Sequence, residues 1–220
     1  MSVFERTKRN RVLRKPKRGS YERAEVYAIL DEALYCHVAF QIDGQPYIIP
    51  TLHARDGDTL LLHGSSASRM LRHAGKHPIC VAVTLIDGIV LARSAYNHSI
   101  NYRSAVLFGQ GEYITDPDLK LDALARFTER LVPGRWDDAR PPDAQELKAT
   151  GVIRMPIESA SAKIRSGSAV DDERDLNLPV WAGVIPLRQA IEPPIPDPDA
   201  RREVPLPDYL REWVEARLRD

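Results

Sequence analysis

Residues 62–71, which read LHGSSASRML, combine residue types that can hold a phosphate group. Gly64 is followed by hydroxyl residues that include Ser65 and Ser68, then by Arg69 and residues that favour a helix. The first amides of a helix lack partners inside the helix and carry a partial positive charge. Serine hydroxyls can donate to phosphate oxygens, and the arginine fork matches their geometry. The segment therefore predicts either a phosphate-binding turn or a plain serine N-cap, and both interpretations stay open.

His63 lies within this segment, and a cluster of His73, His77 and Cys80 follows it in the sequence. His63 ends the preceding predicted strand and could face the same ligand as a proton donor, because its intrinsic pKa of ~6.5 is close to neutral pH. A strand histidine is more often only structural. His73, His77 and Cys80 have a spacing that suits metal ligands on one helix face, but no carboxylate lies near them. We interpret that group as a charged helix end and predict no metal site.

A second candidate site is the sequence Asn-Tyr-Arg-Ser at residues 101–104, which enters the longest predicted strand. Strand alternation places Arg103 on the opposite face from Tyr102 and Ser104. Tyr102 could stack on a planar ring. An arginine inside a barrel strand requires a partner, because a buried unpaired charge is costly. That partner is either a ligand phosphate or an acid such as Glu112.

Several catalytic signatures are absent from the sequence. There is no GxxxxGK[ST] phosphate loop, no HExxH or CxxC motif and no GxSxG nucleophile elbow. Gly109 and Gly111 begin a GxG pattern, but they lie inside a predicted strand and lack the third glycine of a dinucleotide-binding turn. These absences argue against the corresponding nucleotide-binding and hydrolytic classes.

The predicted elements describe a mainly β protein with flanking helices. A helix over 21–34 capped by Ser20 precedes three antiparallel strands joined by Asp-Gly turns. The predicted strands are 35–42, 46–54, 59–64, 78–86, 89–95 and 101–115, with one or two more in 152–165. The other predicted helices are 65–77, one from Pro117 to Leu131 and one near 142–149. Evenly spaced strands separated by turns predict a small antiparallel barrel. We place a turn at Asp87-Gly88 and a bend at Gly109 and Gly111.

Composition and length set the class of protein. The chain has 220 residues, of which 43% are hydrophobic and 28% charged, so it is not wholly disordered. No apolar run approaches the ~20 residues of a membrane-spanning helix, and the N-terminus lacks the apolar segment of a secretory signal. We therefore predict a cytoplasmic protein without a membrane partner. The two cysteines are too few for a disulfide framework.

The charge is distributed unevenly along the chain. Residues 1–23 hold nine bases and two acids, a net charge of +7, while the whole chain has a formal net charge of zero. This basic arm could bind nucleic acid or could lie on the acidic body of the protein or of a partner subunit. We favour the second interpretation, because the arm has no interleaved aromatic residues for base stacking and the acidic remainder would repel phosphates.

The chain divides into a basic arm (1–19), a barrel domain (20–187) and a proline-rich connector with a final helix (188–220). The final helix carries Leu210, Trp213, Val214 and Leu218 on one face. An amphipathic helix after a linker requires a surface to dock on. Its own barrel and a second subunit are equally good candidates.

The order of these segments resembles the pyridoxamine 5′-phosphate oxidase-like split-barrel flavoproteins, in particular the flavin-nucleotide-binding and nitroimidazole-resistance-like branch. The matching segments are YERAEVYAILDEALYCHVAF (21–40), DGQPYIIPTLHARDGDTLLLHGSSASRML (43–71), NYRSAVLFGQGEYI (101–114), LVPGRWDDARPPDAQELKAT (131–150) and VWAGVIPL (180–187). Together they span most of residues 20–187.

The resemblance implies a six-stranded antiparallel split barrel that forms a homodimer with two FMN sites at its interface. In that arrangement Pro50 and Thr51 would contact the isoalloxazine ring. The residues expected to cradle the phosphate are His63, Gly64, Ser65, Ser68 and Arg69. The residues expected to border the flavin, from the other subunit, are Tyr102, Arg103, Ser104 and Trp181.

The resemblance also implies an oxidoreductase that uses a small-molecule electron donor or acceptor, with nitro-group reduction as one activity. Vitamin B6 oxidation is not expected, because the residues that directly follow Trp181, Ala-Gly-Val-Ile-Pro-Leu (182–187), offer no cation for a substrate phosphate. FMN is the expected cofactor. The alternative is a non-catalytic flavin- or haem-binding regulatory protein, in which His63 or His98 would be the axial ligand of a haem.

Overall fold

The computed structural model describes residues 2–202 and 204–218. Within those residues the chain forms ten strands and six helices. In chain order they are β1 (Gly19–Ser20), α1 (Arg23–Glu32), β2 (Tyr35–Ile42), β3 (Gln45–Asp56), β4 (Thr59–Ser65), α2 (Arg69–Ala74), β5 (Pro78–Leu91), β6 (Ser99–Gln110), β7 (Glu112–Tyr113), α3 (Pro117–Leu131), α4 (Arg135–Asp138), α5 (Ala144–Ala149), β8 (Thr150–Pro156), β9 (Ser159–Arg165), β10 (Gly183–Pro186) and α6 (Asp208–Leu218). None of the described helices has the length and apolar character needed to cross a membrane.

The strands form one antiparallel sheet that curls into a split barrel. The strand order is β1-β9-β6-β5-β2-β3-β4-β8-β7, and β10 pairs with the far end of β5. The predicted meander of β2, β3 and β4 is present, with His37 opposite Pro50 and His53 opposite Leu62. The mainly β fold class is therefore confirmed. The predicted count of six strands is wrong for the described residues, because short edge strands add to the barrel and residues 150–165 form two strands.

The long strand β5 differs from the prediction. It continues through Asp87 and Gly88, where the register against β6 shifts by a bulge between Ile86 and Gly88. The predicted turn at this Asp-Gly pair is therefore wrong. β6 is long enough to pair with β5 on both sides of the bulge. β10 lies against the bulge, and a Cβ on Gly88 would come 3.0 Å from the carbonyl oxygen of Ile185 in β10.

The starts of two helices also differ from the prediction. Ser20 does not cap α1, because it belongs to β1 and pairs with Ala162 of β9; α1 begins at Arg23. The helix predicted over 65–77 is limited to the six residues of α2. Its first residues are taken up by the end of β4, since Ser65 pairs with Thr150 of β8.

Two apolar clusters lie on opposite faces of β4. Leu60 and Leu62 are fully buried in the barrel interior, which α1 closes at one end. Leu61 points to the other face and packs with Phe127 of α3. Because successive strand residues alternate between faces, His63 lies on the α3 side with Leu61. The layer of α3 against β3, β4 and β8 thus creates a second core outside the barrel.

Both terminal segments pack against the domain. Phe4 is buried in the main core, and the backbone of Val3 pairs with Glu22. At the other end, Tyr209 of α6 lies against Gly134 and donates a hydrogen bond to Asp138 of α4 at 2.9 Å. The final helix therefore contacts a helix of its own chain.

Candidate functional site

A cavity of about 410 Å³ opens between the α3 side of the sheet and helices α3, α4 and α5. Its lining combines an apolar wall with a few polar groups. The apolar residues are Leu52, Leu124, Phe127, Leu131, Trp136 and Pro142, and the polar ones are His63, Thr128, Arg140, Glu146 and Thr150. An apolar cleft with a few convergent polar groups is the common form of a small-molecule site.

His63 is the titratable group on the sheet side of this cavity. Its ring lies 4.2 Å from that of Phe127, centroid to centroid. Burial lowers the pKa of His63, so the ring is neutral at neutral pH. Its Nδ1 atom is buried and has no hydrogen-bond partner among the described residues. A buried polar atom left unpaired is costly, and it marks a place where a bound group could complete the bonding.

The far wall of the cavity is held in place by a carboxylate. Glu129 of α3 accepts hydrogen bonds from the backbone amides of Gly134 and Trp136, both at 2.8 Å, and these bonds lower its pKa. Gly134 adopts φ 83°, a conformation that favours glycine. These contacts fix the start of α4 and with it the ring of Trp136. Tyr209 closes over the same turn from the outside.

A single ion pair stands at the mouth of the cavity. Arg140 donates to both carboxylate oxygens of Glu146, at 2.7 and 2.9 Å. Glu146 also accepts from the amide of Asp143 at 2.8 Å in a capping box that starts α5. The pKa of Glu146 is lowered to about 2, first by Arg140 and then by the amide. Glu146 therefore holds the guanidinium of Arg140 at the mouth of the cavity and pairs with its charge.

The predicted phosphate turn follows directly after β4. Ser68 caps α2 by accepting from the amide of Leu71 at 3.4 Å, and Ser65 accepts from the amide of Ala67 at 3.2 Å. Ser68 is therefore the N-cap of α2, as one of the two interpretations of the sequence predicted. Arg69 is exposed, lies 4.1 Å above the ring of Tyr47, and forms no salt bridge with any described residue. Its charge remains free to meet an anion.

The predicted site residues divide between the two faces of the sheet. His63 lies on the α3 face, which it shares with Pro50 and Leu52 by strand alternation. Arg69 lies over Tyr47, which packs against the barrel interior, and Thr51 pairs with the buried Cys36 on that same face. The ring of His63 thus lies on the α3 face of β4, whereas the guanidinium of Arg69 lies over Tyr47. That His63 and Arg69 hold one phosphate together stays a prediction.

The second predicted group, Tyr102 to Ser104, lies on β6. Strands β5, β2 and β3 separate β6 from β4 along the sheet, so one chain does not bring these residues to His63. Ser104 donates to the carbonyl of Lys163 at 3.1 Å, and Tyr102 lies opposite Arg165 of β9. Trp181 is 65% exposed and precedes β10 at the far end of β5.

Arg103 has protein partners that the sequence did not reveal. It donates to Asp87 at the β5 bulge, with Nη2 to Oδ1 at 2.7 Å, and to both oxygens of Glu32 at the end of α1. The predicted partner Glu112 is wrong. Glu112 lies in β7, beyond the bend at the other end of β6, and it pairs with Arg154 at 3.2 Å. Arg103 therefore ties α1 to the sheet and is occupied in this chain.

Sequence reasoning missed three residues that support or line the cavity. Arg130, in the last turn of α3, donates to the carbonyls of Leu30, Asp31, Ala33 and His53. Only the packing of α3 beside α1 brings those carbonyls together. Trp136 and Arg140 were missed as well, although both lie in segment 131–150, which carried part of the resemblance.

His73 and His77 lie near each other, with ring centroids 4.7 Å apart. Among the residues that the structure describes, no group of three or more histidine, cysteine or acidic side chains is placed to hold a metal ion. His98 is exposed, and its Nδ1 lies 3.0 Å from the carbonyl of Ser94.

Comparisons with known proteins place this fold in a family. The sequence profile of the pyridoxamine 5′-phosphate oxidase family matches residues 22–164. The structure of the flavocytochrome Anf3 from Azotobacter vinelandii is 41% identical, with a TM-score of 0.89 over 94% of this chain and 96% of that one. An FAD and haem binding protein from Mycobacterium smegmatis is 36% identical, with a TM-score of 0.84 over 89% of this chain and 96% of that one.

A more distant structure shares the fold alone. A protein assigned to 5-nitroimidazole antibiotic resistance from Bacteroides thetaiotaomicron is 22% identical, with a TM-score of 0.55 over 66% of this chain and 86% of that one. A search of curated protein sequences found no match. The profile match and the two similar structures show that this chain belongs to the pyridoxamine 5′-phosphate oxidase family.

Proposed function

We propose that this protein binds a flavin and a haem and acts as an oxidoreductase that passes electrons between them and a small-molecule donor or acceptor. The His63 cavity is the observation that carries the proposal. Two relatives of more than a third identity, matched over nearly their whole length, are named as a flavocytochrome and as an FAD and haem binding protein. Those names support the assignment of both groups to this chain.

The residues of the cavity fit a haem. A neutral imidazole is the form of histidine that ligates iron, and burial favours that form of His63. Phe127, Leu131 and Trp136 offer the apolar walls that a porphyrin requires. Arg140 at the mouth offers a cation to a propionate carboxylate, for which it would exchange its present partner Glu146. When bound there, a haem would supply one-electron transfer and a site for a small ligand of iron.

The turn after β4 fits the phosphate end of a flavin. Arg69 carries an unpaired charge, and the exposed serines Ser65 and Ser66 add hydroxyl groups beside it. Sequence reasoning predicted FMN. The M. smegmatis protein is named for FAD, and its 36% identity favours FAD for this chain as well. A flavin would supply hydride acceptance and one- or two-electron exchange.

A second copy of the chain is part of the proposal. The outer face of β3, β2, β5 and β6 presents apolar side chains to solvent: Ile48, Ile86 and Ile100 are 65%, 43% and 41% exposed. A homodimer that buries this face would bring Tyr102 and Trp181 of one copy toward the flavin of the other. Light scattering of the purified protein tests this step, with a mass of two chains expected and a monomer as the contrary result.

The chain's own residues have five tasks in this function. His63 holds its group through a ring nitrogen, and the walls from α3 and α4 exclude water around it. Glu129 orients Trp136 by holding the start of α4. Arg69 binds a phosphate, and Arg140 is placed to bind a carboxylate. The alternative, a non-catalytic binding protein, would hold the same cofactors without NAD(P)H-dependent or acceptor-dependent turnover.

Titration of the purified protein with haemin tests the cavity. The wild type is expected to develop a Soret band that saturates at one haem per chain. His63→Ala is expected to lose that band or shift it to the position of unligated haem. His98→Ala is the matched control, because His98 is exposed and outside the cavity. Equal spectra and affinities for the wild type and His63→Ala would refute His63 as the ligand.

A further inference from the structure

The basic segment of residues 8–18, here called the basic loop, folds against the barrel but is not neutralised there. It carries seven arginines and lysines. Among the described residues, the ion pair of Arg9 with Glu158, at 3.3 Å, is the only salt bridge that the loop makes. The six other cations have no acidic partner in the described part of the chain. The loop thus lies on the barrel of its own chain, which is the arrangement that the sequence analysis favoured. Most of its positive charge is not paired with acidic residues of the described chain.

The loop is a built structure and is anchored at both ends. Asn10 is buried, and its amide donates to the carbonyls of Glu5 at 2.9 Å and of Ala160 in β9 at 3.1 Å. The amide of Val12 donates to the hydroxyl of Tyr21 at 3.0 Å. The loop ends in β1, which pairs with β9. The fold therefore holds this run of cations in a fixed conformation at the surface, where they can attract an anionic partner.

The residue types around Leu13, at positions 11–14 of the loop, distinguish between possible anionic partners. Leu13 is 73% exposed and stands between Arg11 and Arg14, with Lys17 exposed nearby along the chain. An apolar side chain surrounded by cations suits a lipid interface, where the side chain enters the headgroup layer and the cations meet anionic headgroups. The loop has no aromatic residue for base stacking, and its one amide side chain, Asn10, is bonded inside the protein.

We propose that the basic loop docks this protein on the surface of an anionic lipid bilayer, with Leu13 inserted at the headgroup level. The contact is peripheral and requires no membrane-spanning segment. In this arrangement only the loop meets the bilayer, and the acidic remainder of the chain, which would repel headgroup phosphates, faces away from it. The prediction of no membrane partner followed from the lack of a long apolar run, which such a contact does not need. The proposal is independent of the cofactors proposed above.

Sedimentation with lipid vesicles tests this inference, using phosphatidylcholine vesicles with and without phosphatidylglycerol. The wild type is expected to bind only the anionic vesicles, and less tightly as salt is added. Arg11→Ala with Arg14→Ala is expected to weaken binding by about 25-fold, because each cation near such a surface contributes about fivefold. The charge-matched control is Arg201→Ala with Arg202→Ala, two exposed arginines of the C-terminal connector, which is expected to bind like the wild type.

The contribution of the apolar tip is tested separately. Leu13→Ser leaves the charge unchanged and is expected to weaken binding at least threefold, because it removes the apolar contact. Ile195→Ser is the control, since Ile195 is 92% exposed but lies in the connector. Thermal unfolding should be unchanged in all four variants, because the altered side chains are exposed. No binding to anionic vesicles, equal weakening by the two arginine pairs, or loop-dependent binding to duplex DNA in place of vesicles would overturn the proposal.

Discussion

Replacing Arg69 with alanine tests the flavin half of the proposed function. The guanidinium lies over the ring of Tyr47 at 4.1 Å, is exposed, and has no acidic partner among the described residues. Its removal should therefore cost little in folding stability. A hydrogen bond between a charged donor and a phosphate contributes about 1.5–3 kcal/mol. Loss of one such contact should raise the dissociation constant of the flavin by about 10- to 100-fold.

The assay is a titration of the cofactor-free protein with FAD and with FMN, followed by quenching of flavin fluorescence. Arg69→Lys should recover part of the affinity, because it keeps the charge but loses the fork. Lys76→Ala is a control that removes an exposed cation just after the same helix. Unchanged flavin affinity in Arg69→Ala, or an equal loss in Lys76→Ala, would show that Arg69 does not hold the flavin phosphate.

Two further predictions concern the support of the cavity. Arg130→Met removes the side-chain donor from the part-buried carbonyls of Ala33 and His53, so the free energy of unfolding should fall by about 3 kcal/mol in urea denaturation. A fall below about 1 kcal/mol would contradict the role of Arg130 as a cap of α1. His53 is buried, donates from Nε2 to the carbonyl of Leu30 at 2.9 Å, and has its pKa lowered to about 4 by burial. Because the unfolded chain takes up this proton below pH ~6.5, the stabilisation is complete above that pH and is lost as pH falls toward 4. The wild type should lose about 2 kcal/mol more stability between pH 7 and 5 than His53→Gln does, and equal losses would contradict the lowered pKa.

Local signals in the sequence predicted much of the barrel. β2 was predicted with its observed bounds, because its residues alternate between buried and exposed and an Asp-Gly turn follows. α3 was equally clear from its Asp-Pro start and its apolar face. The short strands β1 and β10 were missed, since each forms only by pairing with a strand distant in sequence. The Asp87-Gly88 dipeptide predicted a turn, because Asp-Gly is common in hairpin turns. The structure has a bulge there instead, since β6 is long enough to pair with β5 on both sides of the dipeptide.

The candidate site was less predictable than the fold. The segment 63–69 was found from its residue types, but the sequence did not reveal that the ring of His63 lies against Phe127 while the guanidinium of Arg69 lies over Tyr47. The cavity around His63 depends on how α3, α4 and α5 fold back over β4, which is a long-range contact. Trp136 and Arg140 gave no local signal of chemistry, because their role follows from their position over His63.

The proposed function requires that one chain bind both a flavin and a haem. The most direct measurement is an absorption spectrum of the purified protein, followed by chromatographic and mass identification of the groups released on denaturation. We expect a Soret band together with flavin absorption, and the release of FAD and haem in near-equal amounts per chain. Release of FMN alone would support the flavin-only form of the sequence prediction and refute the haem site. A colourless protein that takes up neither added flavin nor haemin would contradict the whole of the proposed function.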